Sequence, residues 1–121
     1  MKYDDQNIFA KILRGEIPCN KIYEDDFVLS FYDINPQKKI HALVIPKGKY
    51  IDLDDFNTNA SNEEIIGLMK GITTVAKKLG ISSIDGKGYR ALANISDYGG
   101  QEVPHLHFHL FGGEKVGKMV S

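Results

Sequence analysis

The chain has 121 residues, of which 42% are hydrophobic and 26% charged, and its formal net charge at pH 7 is −1. These values predict one globular domain over residues 1–121, with short tails at both ends. The scattered lysines and arginines exclude the basic stripe of a duplex-binding protein, and the single cysteine excludes an internal disulfide. No apolar run reaches the roughly 18 residues of a membrane span, and the N-terminus lacks a signal-peptide core. We therefore expect a cytoplasmic protein that binds neither nucleic acid nor membranes.

The first half of the chain predicts a helix followed by three strands. Apolar residues recur with helical spacing near residues 7–14, and Gly15 follows where a helix would end. Two β-rich runs, 21–24 and 27–32, are joined by a pair of aspartates and predict a hairpin. After a turn, the apolar run 41–46 shows little alternation, which is typical of a central strand covered on both faces.

The second half predicts one long helix and two strands. The helix spans about residues 61–79, where a capping-box pair, Ser61 and Glu64, precedes the apolar face and a glycine follows it. Strands are predicted at 89–94 and 103–111, separated by a glycine-containing loop. Five strands and two helices in this order predict an α+β domain with an antiparallel sheet.

The four histidines of the chain indicate where its chemistry lies. Three of them, His105, His107 and His109, have a spacing of two, which places them on one face of an extended strand. The apolar residues between and after them then occupy the opposite face, which would pack against a helix. Each imidazole carries a donor and an acceptor, so burying a row of three in a core is costly. The row is therefore expected to face water, a metal or a ligand.

Three interpretations of this row are open. The first is a polar row on an exposed strand. The second is a zinc site, because His-x-His pairs on strands are common ligands, although the sequence lacks the usual carboxylate companion and an HExxH motif. The third is covalent phosphoryl or nucleotidyl transfer with an imidazole nucleophile. Imidazole has a reference pKa of about 6.5, and crowded imidazoles resist double protonation, so one of them keeps a free lone pair at pH 7.

A family resemblance favours the third interpretation. Residues 99–113 contain Gly-Gly-Gln-Glu-Val-Pro followed by His-x-His-x-His and a Gly-Gly pair, and they resemble the signature of the histidine triad (HIT) superfamily. Other segments are similar to the nucleotide-binding branch of that superfamily, in its bacterial type, and occur in the same order: 9–12, 15–18, 33–37 and 41–47. The resemblance covers nearly the whole chain.

The resemblance implies a HIT-like fold and an enzymatic function. The expected fold is a five-stranded antiparallel sheet with two helices, which dimerises into a continuous ten-stranded sheet. The expected activity is that of a purine nucleoside phosphoramidase, which converts an adenosine 5′-phosphoramidate to AMP and an amine through a nucleotidyl-histidine intermediate. No cofactor is required, and zinc, if bound, is not expected to act in catalysis. Two alternatives remain open: a dinucleoside polyphosphate hydrolase and a non-catalytic protein that binds or senses nucleotides.

The resemblance also assigns roles to the four histidines. His107, the middle residue of the triad, is the expected nucleophile at the α-phosphorus, and the carbonyl group of His105 is expected to fix its tautomer. His109 is expected to contact the phosphate and the leaving group. His41 is expected to complete the imidazole cluster from a neighbouring strand.

Further positions match nucleotide-binding residues of the family. Asp33 matches the ribose-binding acid, since a carboxylate accepts hydrogen bonds from both ribose hydroxyls. Glu102 stands where many eukaryotic relatives have serine, and it is expected to tune the preference for the leaving group. The positions that match phosphate contacts are Asn94, Gln101 and the backbone N–H of Val103. The positions that match the apolar walls around the base are Ile8, Phe9, Ile12, Ile17, Phe31, Ile34 and Leu43.

Overall fold

A five-stranded antiparallel sheet with helices on both faces forms the centre of the fold. The computed structural model describes residues 2–119. Its elements are α1 (Ile8–Leu13), β1 (Lys21–Glu24), β2 (Val28–Tyr32), β3 (Ile40–Pro46), α2 (Leu53–Asn59), α3 (Asn62–Lys78), β4 (Arg90–Leu92) and β5 (Phe108–Gly112). The strand order is β1-β2-β3-β5-β4, and every neighbouring pair is antiparallel. The predicted α+β class and five-stranded antiparallel sheet are confirmed.

The sheet separates two apolar cores, because successive residues along a strand point to opposite faces. On the face that we call the α3 face, Leu68 of α3 belongs to one cluster with Val44 of β3 and Leu110 of β5. On the other, the α1 face, Phe9 packs with Leu43 and further apolar residues of β2 and β3. The sheet therefore presents one face to a long helix and leaves part of the other, beside the short α1, open to a ligand.

Two glycines in α3 allow this helix to pack close to β2. A Cβ on Gly71 would lie 3.0 Å from a methyl group of Val28, and one on Gly67 would lie only 2.5 Å from the side chain of Phe27. A glycine inside a helix costs about 1 kcal/mol relative to alanine. The close helix–strand approach explains why the sequence carries glycine at both positions.

A third helix, α2, corrects the prediction of two helices. Its N-cap residue Asp52 is buried and accepts the N–H of Asp55, whose own carboxylate accepts the N–H of Ile51. Only Phe56 of this helix is buried, so the segment has no repeating apolar pattern. Capping hydrogen bonds and one aromatic anchor therefore define α2 where hydrophobic periodicity does not. Of the helices within residues 2–119, none combines the length and the apolar character that a membrane crossing requires.

The last strand is shorter than predicted, and this changes the histidine row. The strand predicted at 103–111 starts only at Phe108, as β5. Its first residues form a turn instead, in which the N–H of His105 donates to the carbonyl of Val103 at 2.9 Å. Only His109 of the triad therefore lies in a regular strand. The strand predicted at 89–94 is likewise reduced to β4. The two leucines of the row are nevertheless fully buried on the α3 face, as their alternation with the histidines predicts.

Candidate active site

A pocket of about 580 Å³ opens on the α1 face of the sheet. The pairing of β3 with β5 places His41 opposite Phe111 and Leu43 opposite His109. Cross-strand partners share a face, so these four side chains lie together in the pocket. The residues that line it are Phe9, Asp33, Asn35, Gln37, His41, Leu43, Leu92, Asn94, Gly100, Glu102, Val103, His107, His109 and Phe111.

The tautomer of His107 follows from its hydrogen bond to the main chain. Nδ1 of His107 lies 2.7 Å from the carbonyl oxygen of His105. Because a carbonyl oxygen only accepts hydrogen bonds, Nδ1 carries the proton and the neutral ring keeps its lone pair on Nε2. Phe9 packs against the ring in an edge-on arrangement, with centroids 4.9 Å apart. His107 is therefore held as an oriented base with an available lone pair.

The tautomers of His41 and His109 follow from one backbone amide. The N–H of Gln37 donates to Nδ1 of His41 at 3.1 Å, so the proton of the neutral His41 ring is on Nε2. That Nε2–H donates to Nδ1 of His109 at 2.9 Å. The proton of His109 must then be on Nε2. The structure thus places a lone pair on His107 and an N–H donor on His109, in rings whose centroids are 5.0 Å apart.

The pocket keeps these histidines neutral. Burial is the largest cause in each case. The pKa of His109 is lowered to about 4 by burial and by the neighbouring His107 and His41, against the opposing effect of Asp33. Burial also lowers the pKa of His107, against the opposing effect of its hydrogen bond to the His105 carbonyl. The pKa of His41 is lowered by burial and raised in part by Asp33. Neutral rings at pH 7 are what the tautomer assignments require.

Three of the pocket residues also form a set of candidate metal ligands. Asp33, His41 and His109 each offer an atom within 4.8 Å of the others. The hydrogen bonds oppose this use, because Nδ1 of His41 accepts the Gln37 N–H and its Nε2 carries the proton that faces His109. A metal ion on Nε2 would require an imidazolate ring or the loss of the Gln37 hydrogen bond. The geometry favours a hydrogen-bonded chain at these residues.

The ring of His105 lies outside the pocket lining, which corrects its expected place among the pocket imidazoles. It is fully buried, and its Nε2 donates to the carbonyl oxygen of Pro46 at 2.9 Å. Its Nδ1 therefore accepts the hydroxyl proton of Tyr3, at 2.6 Å. Burial lowers the pKa of His105 to about 4. The turn that precedes β5 sends this ring behind His107, so His105 meets the pocket residues through its carbonyl group.

Gln101 does not line the pocket, although it was expected to contact phosphate. Its amide nitrogen donates to the carbonyl oxygens of Ile51 at 2.6 Å and Val103 at 3.0 Å, and its amide oxygen accepts the N–H of Ser96 at 2.9 Å. The nitrogen and the oxygen of the Gln101 amide are thus both hydrogen-bonded to the protein backbone. Gln101 therefore fastens the loop that carries Gly100, whose backbone does line the pocket with φ +76°.

The expected apolar walls are only partly assembled. Phe9 and Leu43 line the pocket. Ile34 is 87% exposed on the turn before β3, and Ile8 is 41% exposed because it begins α1 on the helix face that Phe9 does not share. Three further residues expected in the wall lie elsewhere. Phe31 is buried beneath Phe9, whereas Ile12 and Ile17 line a separate groove beyond α1.

Several pocket residues were missed in the sequence. Gln37 acts through its backbone N–H, which no side-chain pattern can reveal. Phe111 continues the period-two row of the histidines, and this signal was available: its ring stacks on His109 at 5.7 Å and packs on His41 at 4.3 Å. The remaining missed residues are Asn35, Leu92 and Gly100.

Sequence comparison relates the chain to known proteins. The HIT domain family matches residues 14–116. A HIT-like protein of Azospirillum brasilense is 50% identical over 98% of this chain and 95% of its own length. The purine nucleoside phosphoramidase of Escherichia coli K12 is 41% identical over 97% of this chain and 95% of its own length.

Solved structures share the fold. A HIT family hydrolase from Clostridium thermocellum has a TM-score of 0.84 and 37% identity, with coverage of 98% of this chain and 99% of its own. A histidine triad protein from Clostridium difficile has a TM-score of 0.81 and 40% identity, with coverage of 98% of each chain. By sequence and by fold, the chain belongs to the HIT family and is related to its hydrolases.

Proposed function

We propose that this protein is a purine nucleoside phosphoramidase that hydrolyses adenosine 5′-phosphoramidates to AMP and an amine. One observation carries the proposal: the lone pair of His107 and the N–H donor of His109 stand on adjacent rings in one pocket. A nucleophile beside a proton donor is what cleavage of a P–N bond requires. The relationship to the phosphoramidase of E. coli supports the choice of reaction.

In the first half-reaction, Nε2 of His107 bonds to the α-phosphorus as the P–N bond of the substrate breaks. The electron pair of that bond stays with the amine nitrogen, which takes a proton from Nε2 of His109. An anionic nucleotide raises the pKa of His109 from its low resting value, so that Nδ1 gains a proton from solvent as substrate binds. Oδ2 of Asp33, 3.5 Å from Nε2 of His41, then accepts the hydrogen bond that His41 had given to His109.

In the second half-reaction, water attacks the phosphorus of the nucleotidyl-His107 intermediate. The water gives a proton to Nε2 of His109, the bond from phosphorus to His107 breaks with its electron pair returning to Nε2 of His107, and AMP leaves. Nδ1 of His109 then returns its proton to solvent and again accepts the hydrogen bond from His41. Throughout, Nδ1–H of His107 donates to the carbonyl of His105, which stabilises the positive charge of the nucleotidyl ring. No step uses a metal ion, so we expect excess chelator to leave turnover unchanged.

The remaining pocket residues suit the parts of a nucleotide. We assign Asp33 to the ribose hydroxyls, because its partly exposed carboxylate lies at the edge of the imidazole cluster. Phe9 and Leu43 supply apolar contact for a purine base. Asn94 and Val103 line the same pocket as His107 and His109, and we assign the Asn94 side chain and the Val103 N–H to the phosphate oxygens.

Glu102 favours an amine over a polyphosphate as the leaving group. Its exposed carboxylate lines the pocket and acts electrostatically on His107. We expect Glu102→Ser to lower kcat/KM for a phosphoramidate of a cationic amine about fivefold relative to a neutral amine of equal size, because an exposed charge pair contributes up to about 1 kcal/mol. Paired assays on the two substrates measure this ratio, with Glu102→Gln as the control of similar size. An unchanged ranking of amines would show that Glu102 does not select the leaving group.

We also propose a homodimer that joins two sheets through β4. The other sheet edge, β1, is irregular and charged, with a register shift between Lys21 and Tyr23 and ion pairs from Glu24 to Lys21 and Lys47. Such features block pairing with another strand. Pairing at β4 would continue the sheet beside Leu92, which lines the pocket. Sedimentation equilibrium is expected to give twice the monomer mass, and Ala91→Pro, on β4, is expected to shift the protein toward monomer.

The proposed activity has a direct test. Phosphorus NMR follows AMP formation from adenosine phosphoramidates of varied amines. Intact mass after an acid quench shows whether a nucleotidyl-protein accumulates. A protein that only binds nucleotides would give neither AMP nor the covalent adduct, and a dinucleoside polyphosphate hydrolase would prefer the polyphosphate in a competition assay.

A further inference from the structure

A tyrosine near the start of the chain contacts the back of the histidine cluster. The hydroxyl group of Tyr3 lies 2.6 Å from Nδ1 of His105, and the two rings meet edge to face with centroids 5.6 Å apart. Tyr3 is only partly buried, whereas His105 has no exposed surface. Burial raises the pKa of Tyr3, so its hydroxyl stays protonated and able to donate.

Both hydrogen bonds of the His105 ring have a defined direction. Because the carbonyl of Pro46 can only accept, Nε2 of His105 is the donor and Nδ1 is the acceptor. Tyr3 therefore supplies the donor for Nδ1, and the ring is fixed between Tyr3 and the end of β3. Without the hydroxyl, a buried acceptor would be left without its partner.

The backbone of His105 connects this arrangement to the reacting atoms. Its carbonyl oxygen accepts Nδ1–H of His107 at 2.7 Å, which is the bond that leaves the lone pair on Nε2. A ring fixed at both nitrogens also fixes the carbonyl of the same residue. The ring of Phe9 packs edge-on against the rings of both histidines, with centroid distances of 6.4 Å to His105 and 4.9 Å to His107. The same phenylalanine therefore holds both histidine rings in place.

The segment that carries Tyr3 is tied to the rest of the protein. Asp5 forms an ion pair with Lys49 at 2.8 Å, and its carbonyl accepts a hydrogen bond from Arg14 at 2.8 Å. The side chain of Asn7 donates to the carbonyl of Asp4 at 2.8 Å. These contacts hold Tyr3 over His105 from a part of the chain that contributes no polar side chain to the pocket lining.

We propose that Tyr3 is a positioning residue for the reaction: through His105, it holds His107 in the tautomer that attacks phosphorus. The role in catalysis rests on the proposed function, while the effect on the tautomer does not. Loss of the Tyr3 hydroxyl lets the His105 carbonyl move, and His107 then also populates the tautomer with its proton on Nε2. That tautomer has no lone pair directed at the substrate. We therefore expect kcat to fall and KM to stay nearly unchanged.

The experiment compares Tyr3→Phe with the wild type by kinetics and by imidazole NMR. We expect kcat for an adenosine phosphoramidate to fall about tenfold with KM within about twofold, in line with the cost of misplacing a reacting group. Long-range proton–nitrogen spectra are expected to show His107 as the Nδ1–H tautomer in the wild type and as a mixture in the variant. Tyr23→Phe is the matched control, because it loses a tyrosine hydrogen bond to Asp25, at 2.9 Å, on the α3 face.

A folded Tyr3→Phe protein with the kcat and the His107 tautomer of the wild type would overturn the proposal. So would equal losses in Tyr3→Phe and Tyr23→Phe, which would indicate a general loss of stability. The wild-type spectrum gives a test that needs no variant: a protonated Nδ1 on His105 contradicts the proposed hydrogen bond, and an unprotonated Nδ1 supports it. If the wild type does not hydrolyse phosphoramidates, the proposed function fails, and the tautomer spectra still decide the effect of Tyr3.

Discussion

His107→Ala is expected to lower kcat for adenosine phosphoramidates by about 10⁴-fold or more while the protein still binds AMP. The nucleophile is lost entirely, and neither neighbour replaces it: Nε2 of His109 carries a proton, and the ring of His105 lies behind the pocket. Loss of a covalent nucleophile usually costs several powers of ten in rate. Binding persists because the groups assigned to ribose, base and phosphate remain.

Three measurements check this result. Phosphorus NMR gives the rate, calorimetry gives the AMP affinity, and intact mass after acid quench reports the nucleotidyl adduct, which is expected only in the wild type. His107→Gly adds a positive control, because free imidazole can enter the vacated space and restore part of the rate. Turnover of His107→Ala within tenfold of the wild type would assign the nucleophile to another residue.

The second large effect concerns stability in acid. The pKa of His105 falls from 6.5 in a model peptide to about 4 in the folded protein, mainly because the ring is buried. The unfolded chain therefore binds more protons than the folded protein between these pH values, and stability is lost as pH falls from about 6.5 to about 4. For this fully buried ring the loss is about 3 kcal/mol. The pKa of His109 is also lowered to about 4, so His109 adds to the loss of stability over the same pH range.

Urea denaturation at pH 7, 6, 5 and 4 measures this loss. The step from pH 7 to pH 5 separates histidines from Glu24, whose pKa is lowered to about 2 by Lys47 and Lys21, because Glu24 begins to affect stability only as the pH approaches 4.5. His105→Gln is the informative variant: it is expected to be less stable at pH 7 and to show a smaller decline between pH 6.5 and 4. A free energy of unfolding that is constant over this range would contradict the buried neutral state of these rings.

The alternation of histidine with apolar residues predicted side-chain directions better than it predicted the strand. Leu106 and Leu110 are buried against the α3 face as predicted, because alternation needs only a locally extended backbone. The start of β5 depends instead on the turn between Val103 and His105 and on the hydrogen bond that follows it, from the N–H of Leu106 to the carbonyl of Tyr50 at 2.8 Å. A contact between segments that are so far apart in the sequence produces no periodic pattern from which it could be predicted.

In the candidate site, too, some features were predicted well from the sequence and others were not. Of the three histidines that the triad signature named, His107 and His109 line the pocket, whereas the ring of His105 is buried behind it. His41 also lines the pocket, from the neighbouring strand. The residues that the family resemblance assigned to the apolar walls were placed less well: Ile34 is largely exposed, and Ile12 belongs to another groove. An apolar side chain satisfies a core, a groove or a surface turn alike, whereas an imidazole row is tolerated only where its hydrogen bonds are met.

The amide that sets the tautomer of His41 belongs to the main chain at position 37. Every amino acid except proline supplies that N–H, so among all substitutions at position 37 only proline is expected to change the tautomer of His41. The tautomers of His41 and His109 are therefore encoded in the path of the turn between β2 and β3. The side chain at position 37, which lines the pocket and donates to the carbonyl of Asn35 at 3.0 Å, can therefore be redesigned without changing the tautomer of His41, provided that the turn itself is preserved.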